Sequence, residues 1–213
     1  MSQTPCIRGL YAITPDCADT PDLLRRARLA LAGGARALQY RNKPATAALR
    51  LAQASALRKL TREFAVPFMV NDDVHLAAQV DADGVHLGAT DGSLNAAREV
   101  LGKRKIIGIS CYNRISLARG AVGAGADYVA FGAFFSSGIK PDAAVANVEL
   151  LRQARAEFAV PLVAIGGITA QNGASLVQAG ADALAVISAL FDAADIQAAA
   201  QDFSKLFIRD SAP

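Results

Sequence analysis
Apolar residues in this chain come in short runs, most of them opened by a turn signal, with amphipathic stretches between them. The runs are Leu10 to Ile13, Ala37 to Tyr40, Phe68 to Val70, Val85 to Leu87, Ile106 to Ile109, Tyr128 to Phe131, Leu162 to Ile165 and Ala183 to Ile187. Between them apolar positions recur at helical spacing, as in Leu23, Leu24, Ala27 and Leu31, or Leu49, Ala52, Ala56, Leu57 and Leu60. The punctuation repeats too. Phe64-Ala65-Val66-Pro67 returns as Phe158-Ala159-Val160-Pro161, placing proline where a strand begins and its missing N–H does no harm. Small or acidic clusters, Gly33-Gly34-Ala35-Arg36, Asp81-Ala82-Asp83-Gly84, Gly125-Ala126-Asp127 and Gly180-Ala181-Asp182, precede four other runs. They predict helix-to-strand turns with a positive-φ cap. Near-continuous apolar strands alternating with amphipathic helices predict a parallel sheet covered by helices. Eight such units predict an α/β fold, a single (β/α)8 barrel over residues 1–213, rather than an open sheet, which lacks its Gly-x-Gly-x-x-Gly signal here.

Composition narrows the function classes. With 53% hydrophobic and 19% charged residues and mean hydropathy +0.26, the 213-residue chain can bury a large core. No apolar run approaches the ~20 residues of a membrane span, and no secretory signal opens the chain, so a cytoplasmic protein without membrane association is expected. Cys6, Cys17 and Cys111 have neither disulfide nor zinc spacing and are expected to be free thiols. A net charge of +3 without basic runs or aromatic platforms argues against nucleic acid. Nothing in the sequence specifies an oligomeric state.

In a barrel of this kind the residues after each strand share one face, and chemistry gathers there. Those residues are Thr14; Arg41 and Lys43; Asn71 and Asp72; Gly88 and Asp91; Ser110; Ser136, Ser137 and Lys140; Gly166, Gly167 and Thr169; and Ser188. Thr169 and Asn71 taken singly are explained equally well as helix caps. Three cations converging with two aspartates are not. Alternation in Gln39-Tyr40-Arg41-Asn42-Lys43 points Gln39, Arg41 and Lys43 to one side, where the cations need carboxylates or phosphate. Asp72 and Asp91 suit Mg2+, which takes one or two carboxylates, waters and phosphate oxygens. An ion pair that merely braces the barrel is the plainer alternative for these residues. His86 reads as a packed or supporting residue rather than a ligand, His75 as a surface residue, and Asp73 as the cap of the helix after Asp72. Gly166-Gly167 and Ile187-Ser188 follow the seventh and eighth strands, where barrels commonly hold phosphate with backbone N–H groups. Two anion sites and a metal site suggest a reaction between two phosphorylated small molecules.

Along nearly its whole length the chain resembles the thiamine phosphate synthase family. The resemblance is carried by Leu10-Tyr11-Ala12-Ile13-Thr14, Leu38-Gln39-Tyr40-Arg41-Asn42-Lys43, Asn71-Asp72-Asp73, Asp83-Gly84-Val85-His86-Leu87-Gly88, Gly108-Ile109-Ser110, Lys140-Pro141, Ile165-Gly166-Gly167-Ile168 and Val186-Ile187-Ser188. It implies a transferase of thiamine biosynthesis that couples hydroxymethylpyrimidine diphosphate to a thiazole phosphate and releases pyrophosphate by a dissociative, Mg-assisted route. It further implies that Gln39, Arg41, Lys43, Asn71, Ser110 and Lys140 bind the pyrimidine diphosphate, with Arg41, Lys43, Ser110 and Lys140 acting on the departing charge. Asp72 and Asp91 would hold the metal, and Ser137, Gly138, Ile139, Gly167, Ile187 and Ser188 the thiazole phosphate. The chain departs from the family where Ile139 replaces a hydroxyl residue, Ala89 a glutamine and Asn42 a glutamate. Ile139 predicts weaker thiazole phosphate binding with the chemistry retained. Three other readings remain open on these residues: a thiazole tautomerase-like or regulatory relative, a sugar-phosphate isomerase or epimerase, and a non-catalytic phosphate sensor. The first needs an acid-base histidine near the fifth strand, where Cys111-Tyr112-Asn113 stands. The second leaves the cation and carboxylate cluster unexplained.

Overall fold
A computed structural model describes residues 6–88, 92–135 and 146–208. Eight parallel strands close into a barrel in chain order: β1 (Gly9–Ile13), β2 (Ala37–Tyr40), β3 (Phe68–Asn71), β4 (Gly84–Leu87), β5 (Ile106–Tyr112), β6 (Tyr128–Phe131), β7 (Leu162–Ile165) and β8 (Ala183–Val186). Each of the eight predicted runs is a strand, with shifts at the ends. β5 continues past Ile109 through a bulge between Ser110 and Tyr112, whose φ is +53°. β8 stops before Ile187, because that residue turns out of the strand to cap α8 (Ser188–Phe191). The other helices are α1 (Thr20–Ala32), α2 (Ala47–Glu63), α3 (Val74–Gln79), α4 (Leu94–Leu101), α5 (Ile115–Gly123), α6 (Val148–Glu157), α7 (Ala174–Gln178) and α9 (Ile196–Lys205). None of them is long and apolar enough to cross a membrane.

Strand alternation divides the core into two. Outward-facing residues such as Leu10, Leu38, Val70, Val85, Val129 and Leu184 meet the helices. Inward-facing Tyr11, Ile13, Met69, Tyr128, Val163, Ala183 and Ala185 fill the lumen. The stripe on α2 differs from the predicted one. Its buried residues are Gln53, Ala54, Leu57, Leu60 and Thr61, while Ala52 is exposed and Leu49 and Ala56 are half-buried. Buried Gln53 is accounted for by hydrogen bonds: Tyr40 Oη and Asn42 Nδ2 donate to its Oε1, and its Nε2 donates to the Cys17 carbonyl.

The turn clusters lie at the end of the barrel opposite the strand C-termini. Gly34, Gly125 and Gly180 take positive φ as expected, but in the remaining cluster Asp81 does so, at +52°, and Gly84 belongs to the strand. The aspartates have a further role. Asp83 accepts from Phe68 N and from Arg58; Asp127 accepts from Ile107 N and Arg98; Asp182 accepts from Leu162 N and Arg155. Each therefore clasps the start of the preceding strand to a helix arginine.

Candidate active site
At the C-terminal ends of the strands a cavity of about 360 Å³ opens into the lumen. Its lining includes Gln39, Arg41, Lys43, Asn71, Asp72, Ser110 and Ile187, so seven of the predicted site residues share one surface. The expected alternation holds beyond β2. Gln39, Arg41 and Lys43 face the cavity, while Tyr40 and Asn42 turn outward onto Gln53. Gly167, on the loop after β7, and Ser188 are not part of this lining. Ser188 is the first residue of α8, and Gly167 has φ +62°. A side chain at Gly167 would lie 2.6 Å from the Phe135 carbonyl oxygen, so the close approach to the 132–135 segment itself demands glycine. Asp91, Ser137, Gly138, Ile139 and Lys140 lie outside the described residues.

The cations are held by Asp16, which the strand-end inventory omitted, together with Thr14 and Asp72, which it included. Asp16 Oδ1 accepts from Arg41 Nη1 at 3.1 Å and from Lys43 N at 3.0 Å, and Thr14 Oγ1 both donates to the Arg41 carbonyl and accepts from its N–H. Asp16 lies two residues beyond Thr14, so the same strand-end rule reaches it. Lys43 Nζ is 3.7 Å from Asp72 Oδ2, with side-chain exposures of 62% and 31%. An ion pair so exposed contributes roughly 0–1 kcal/mol, too little to explain the cluster as a brace. Asp72 has φ +63° and donates its N–H to the His86 carbonyl, which fixes the carboxylate at the rim. Asp73 caps α3 through Leu76 N, and His75 is exposed, both as expected. Thr169 and Asn172 exchange hydrogen bonds within the turn that precedes α7, whose N-cap is Gly173, so Thr169 braces the turn rather than capping the helix.

Below the rim the floor carries the amide, phenol, imidazole and hydroxyl groups of Gln39, Tyr11, His86 and Ser110. His86 is buried, its ring stacked on Tyr128 with centroids 5.6 Å apart, and its Nε2 lies 2.8 Å from Ser110 Oγ. It is packed in the lumen, a placement the sequence suggested, and also lines the cavity. Burial pushes the Tyr11 and Tyr128 hydroxyls well above the usual phenol range, so both remain protonated. Among the described residues no three His, Cys, Asp or Glu side chains gather as a metal cluster. A cation bound mainly through phosphate oxygens and water does not need one.

A family model described as thiamine monophosphate synthase matches residues 10–190. The chain belongs to that family. It is 57% identical over 203 residues to a thiamine-phosphate synthase of Methylobacillus flagellatus, covering 95% of this chain and 97% of the relative. A thiamine-phosphate synthase of Thiobacillus denitrificans is 55% identical over 199 residues, covering 93% and 94%. Among solved structures, thiamine phosphate pyrophosphorylase from Pyrococcus furiosus superposes with a TM-score of 0.84 at 37% identity, covering 93% of this chain and 94% of that one. Family membership makes the chain a transferase of thiamine biosynthesis, and the tautomerase, isomerase and sensor readings are not favoured.

Proposed function
We propose that the cavity binds hydroxymethylpyrimidine diphosphate with its diphosphate against Arg41 and Lys43, and joins its methylene carbon to the ring nitrogen of a thiazole phosphate. The observation that carries this reading is the convergence of Gln39, Arg41, Lys43, Asn71, Asp72 and Ser110 on one cavity in a chain of this family. In the reaction the C–O bond to the diphosphate breaks and both electrons leave with pyrophosphate. The thiazole nitrogen then supplies the pair that forms the new C–N bond. A dissociative course suits this lining. Its described bases are Asp72, at the cation-lined rim, and His86, whose two ring nitrogens face Tyr128 and Ser110. No proton need be removed from the thiazole nitrogen, so the residues have only to place and stabilise the departing charge.

Arg41 and Lys43 are the described cations for that charge, with Lys140 as the third in this reading. Asp16 holds Arg41 and the backbone of Lys43 in place before any ligand arrives. Asp72, together with Asp91, would hold Mg2+, which when bound would neutralise diphosphate oxygens; a rim carboxylate beside two phosphate-directed cations is a donor set that fits it. Ser137, Gly138, Ile139, Gly167, Ile187 and Ser188 are assigned to the thiazole phosphate. Gly167 gives close backbone approach, and Ser188 and Ala189 open α8 ahead of Leu190 and Phe191, whose N–H groups donate to the Ile187 carbonyl.

The test is incubation of the purified chain with both phosphorylated precursors and magnesium, followed by measurement of pyrophosphate and thiamine phosphate. Stoichiometric release of both is expected. Arg41→Ala should lower the rate about a hundredfold, corresponding to roughly 3 kcal/mol of lost charge stabilisation. Absence of turnover, or turnover indifferent to Asp72→Ala, overturns the assignment.

A further inference from the structure
Five side chains form a continuous hydrogen-bonded row across the lumen beneath the cavity. Gln39 Nε2 is 2.8 Å from Tyr11 Oη, which is 3.1 Å from Tyr128 Oη; that hydroxyl is 2.8 Å from His86 Nδ1, and His86 Nε2 is 2.8 Å from Ser110 Oγ. Gln39, Tyr11 and Tyr128 are no more than 2% exposed, so water does not interrupt the row. The reading of the reaction above gives Tyr11 and Tyr128 no task of their own.

Such a row has a direction. Each hydroxyl has one hydrogen to give, and a neutral imidazole has one N–H and one acceptor nitrogen. The Gln39 amide nitrogen can only donate, so Tyr11 accepts from it and passes its own hydrogen to Tyr128. Tyr128 then donates to His86 Nδ1. With Nδ1 an acceptor, the ring hydrogen sits on Nε2 and goes to Ser110 Oγ. Ser110 has thereby accepted, and its own hydrogen turns outward to the cavity it lines. The opposite direction is self-consistent only if the Gln39 carbonyl oxygen faces Tyr11. Stacking of the His86 ring on Tyr128 at 19° between planes opposes a ring flip that would exchange the two nitrogens.

We propose that Gln39, Tyr11 and Tyr128 are positioning residues that fix His86 as the Nε2–H tautomer and so commit Ser110 to donate a hydrogen bond to an acceptor atom of the bound pyrimidine diphosphate. The identity of that ligand rests on the function proposed above; the direction of the row does not. Remote side chains therefore select which ligand edge Ser110 accepts: an acceptor atom gains a hydrogen bond, and a donor at the same place meets a donor.

The chain has two histidines, His75 on exposed α3 and His86 in the lumen, so nitrogen-15 spectra of the imidazoles in the full chain can be assigned by one substitution. Without substrates, His86 is expected to show a pyridine-type Nδ1 and a pyrrole-type Nε2. Tyr11→Phe cuts the row at a link that His86 does not make and should move His86 to a mixture of tautomers while His75 stays unchanged. Gln39→Leu makes the same cut one step further away, should Tyr11→Phe fail to fold. An Nδ1–H tautomer in the native chain, or a His86 spectrum untouched by either folded variant, overturns the direction of the row. For the ligand, binding of hydroxymethylpyrimidine diphosphate with magnesium and no thiazole partner should weaken about tenfold or more in Ser110→Ala, the loss of one hydrogen bond to a charged group. Unchanged binding in that variant overturns the donor role. A native chain that does not bind this ligand would instead contradict the proposed function, leaving the tautomer measurement intact.

Discussion

Gly108→Ala is a small change with a large expected effect, because Gly108 makes the space that Tyr128 occupies. It lies in β5 between His86 on one neighbouring strand and Tyr128 on the other. A methyl group placed there would be 1.9 Å from Tyr128 Cζ, 2.2 Å from Cε1 and 2.4 Å from the hydroxyl oxygen. The obstacle is the far end of a rigid ring packed in the lumen, not a mobile side-chain tip. To reach an ordinary contact the ring must move by about 1.5 Å, which carries its hydroxyl away from both Tyr11 and His86. Overpacking costs about 1–3 kcal/mol, and two buried polar pairs left without partners cost about 1 kcal/mol or more each. The sum is about 4 kcal/mol, or a fall in Tm of about 8–16 °C for a chain of this size. Thermal unfolding of Gly108→Ala, Tyr128→Ala and the double variant forms the decisive cycle. Removing the ring removes the clash, so the double variant should be more stable than the summed single losses require, by about 2 kcal/mol. Additive losses, or a Tm fall below about 3 °C in Gly108→Ala, would show that the ring is not held where the strand pairing places it.

Three further changes test other parts of the structure. Asp83→Ala leaves Arg58, whose side chain is 12% exposed, without its bidentate partner and Phe68 N without an acceptor, and should cost about 3 kcal/mol by denaturant unfolding. Asp22→Ala, which breaks the exposed pair with Arg25, should cost no more than about 1 kcal/mol. Ile139→Thr should lower the KM for the thiazole phosphate with kcat nearly unchanged; an unimproved KM removes the argument from the lost hydroxyl. Burial pushes the Cys111 thiol up to about 12, so at pH 8 it lies far below its ionisation and stays neutral. Iodoacetamide at that pH should modify exposed Cys6 and spare Cys111 until the chain unfolds, as peptide mass analysis would show.

The sequence made the strands legible because most are bounded by signals. A proline or a small or acidic cluster opens six of the eight, and a polar residue or a glycine closes each. The top of the barrel was legible by the same reasoning, since strand alternation alone places Gln39, Arg41 and Lys43 on one side. What alternation could not supply is the pairing across the lumen. Tyr11 and Tyr128 are 117 positions apart and read individually as apolar strand residues; only barrel closure brings their hydroxyls within 3.1 Å. Asp16 was overlooked because Pro15 separates it from the strand-end residue Thr14, although the turn carries it back toward β2. The stripe on α2 was misplaced for a similar reason. A buried glutamine does not register in an apolar periodicity, yet Gln53 satisfies Tyr40, Asn42 and the Cys17 carbonyl at once.

The aspartates of the repeated turns show how the two ends of the barrel divide their tasks. The residues just before the even strands are Arg36, Asp83, Asp127 and Asp182, and each donates its N–H to the preceding strand at 2.8 Å, to Leu10, Phe68, Ile107 and Leu162 respectively. Three of the four add a carboxylate clasp to a helix arginine. Arg36 cannot, so the junction of β1 and β2 keeps the backbone bond without the clasp. That junction is braced instead from α9: Gly33 and Gly34 approach α9 so closely that a side chain at Gly33 would lie 2.4 Å from the Gln197 carbonyl oxygen, and Ser204 Oγ, 2.8 Å from the Ala200 carbonyl, also lies 3.2 Å from the Gly34 carbonyl. The closing helix therefore takes the place of the missing ion pair. All four braces sit at the strand N-termini, so a variant that weakens one should lower stability while leaving the residues of the cavity, at the other end of the same strands, in register. Ser204→Ala provides the mildest form of this separation, and a kcat change larger than its stability loss explains would contradict it.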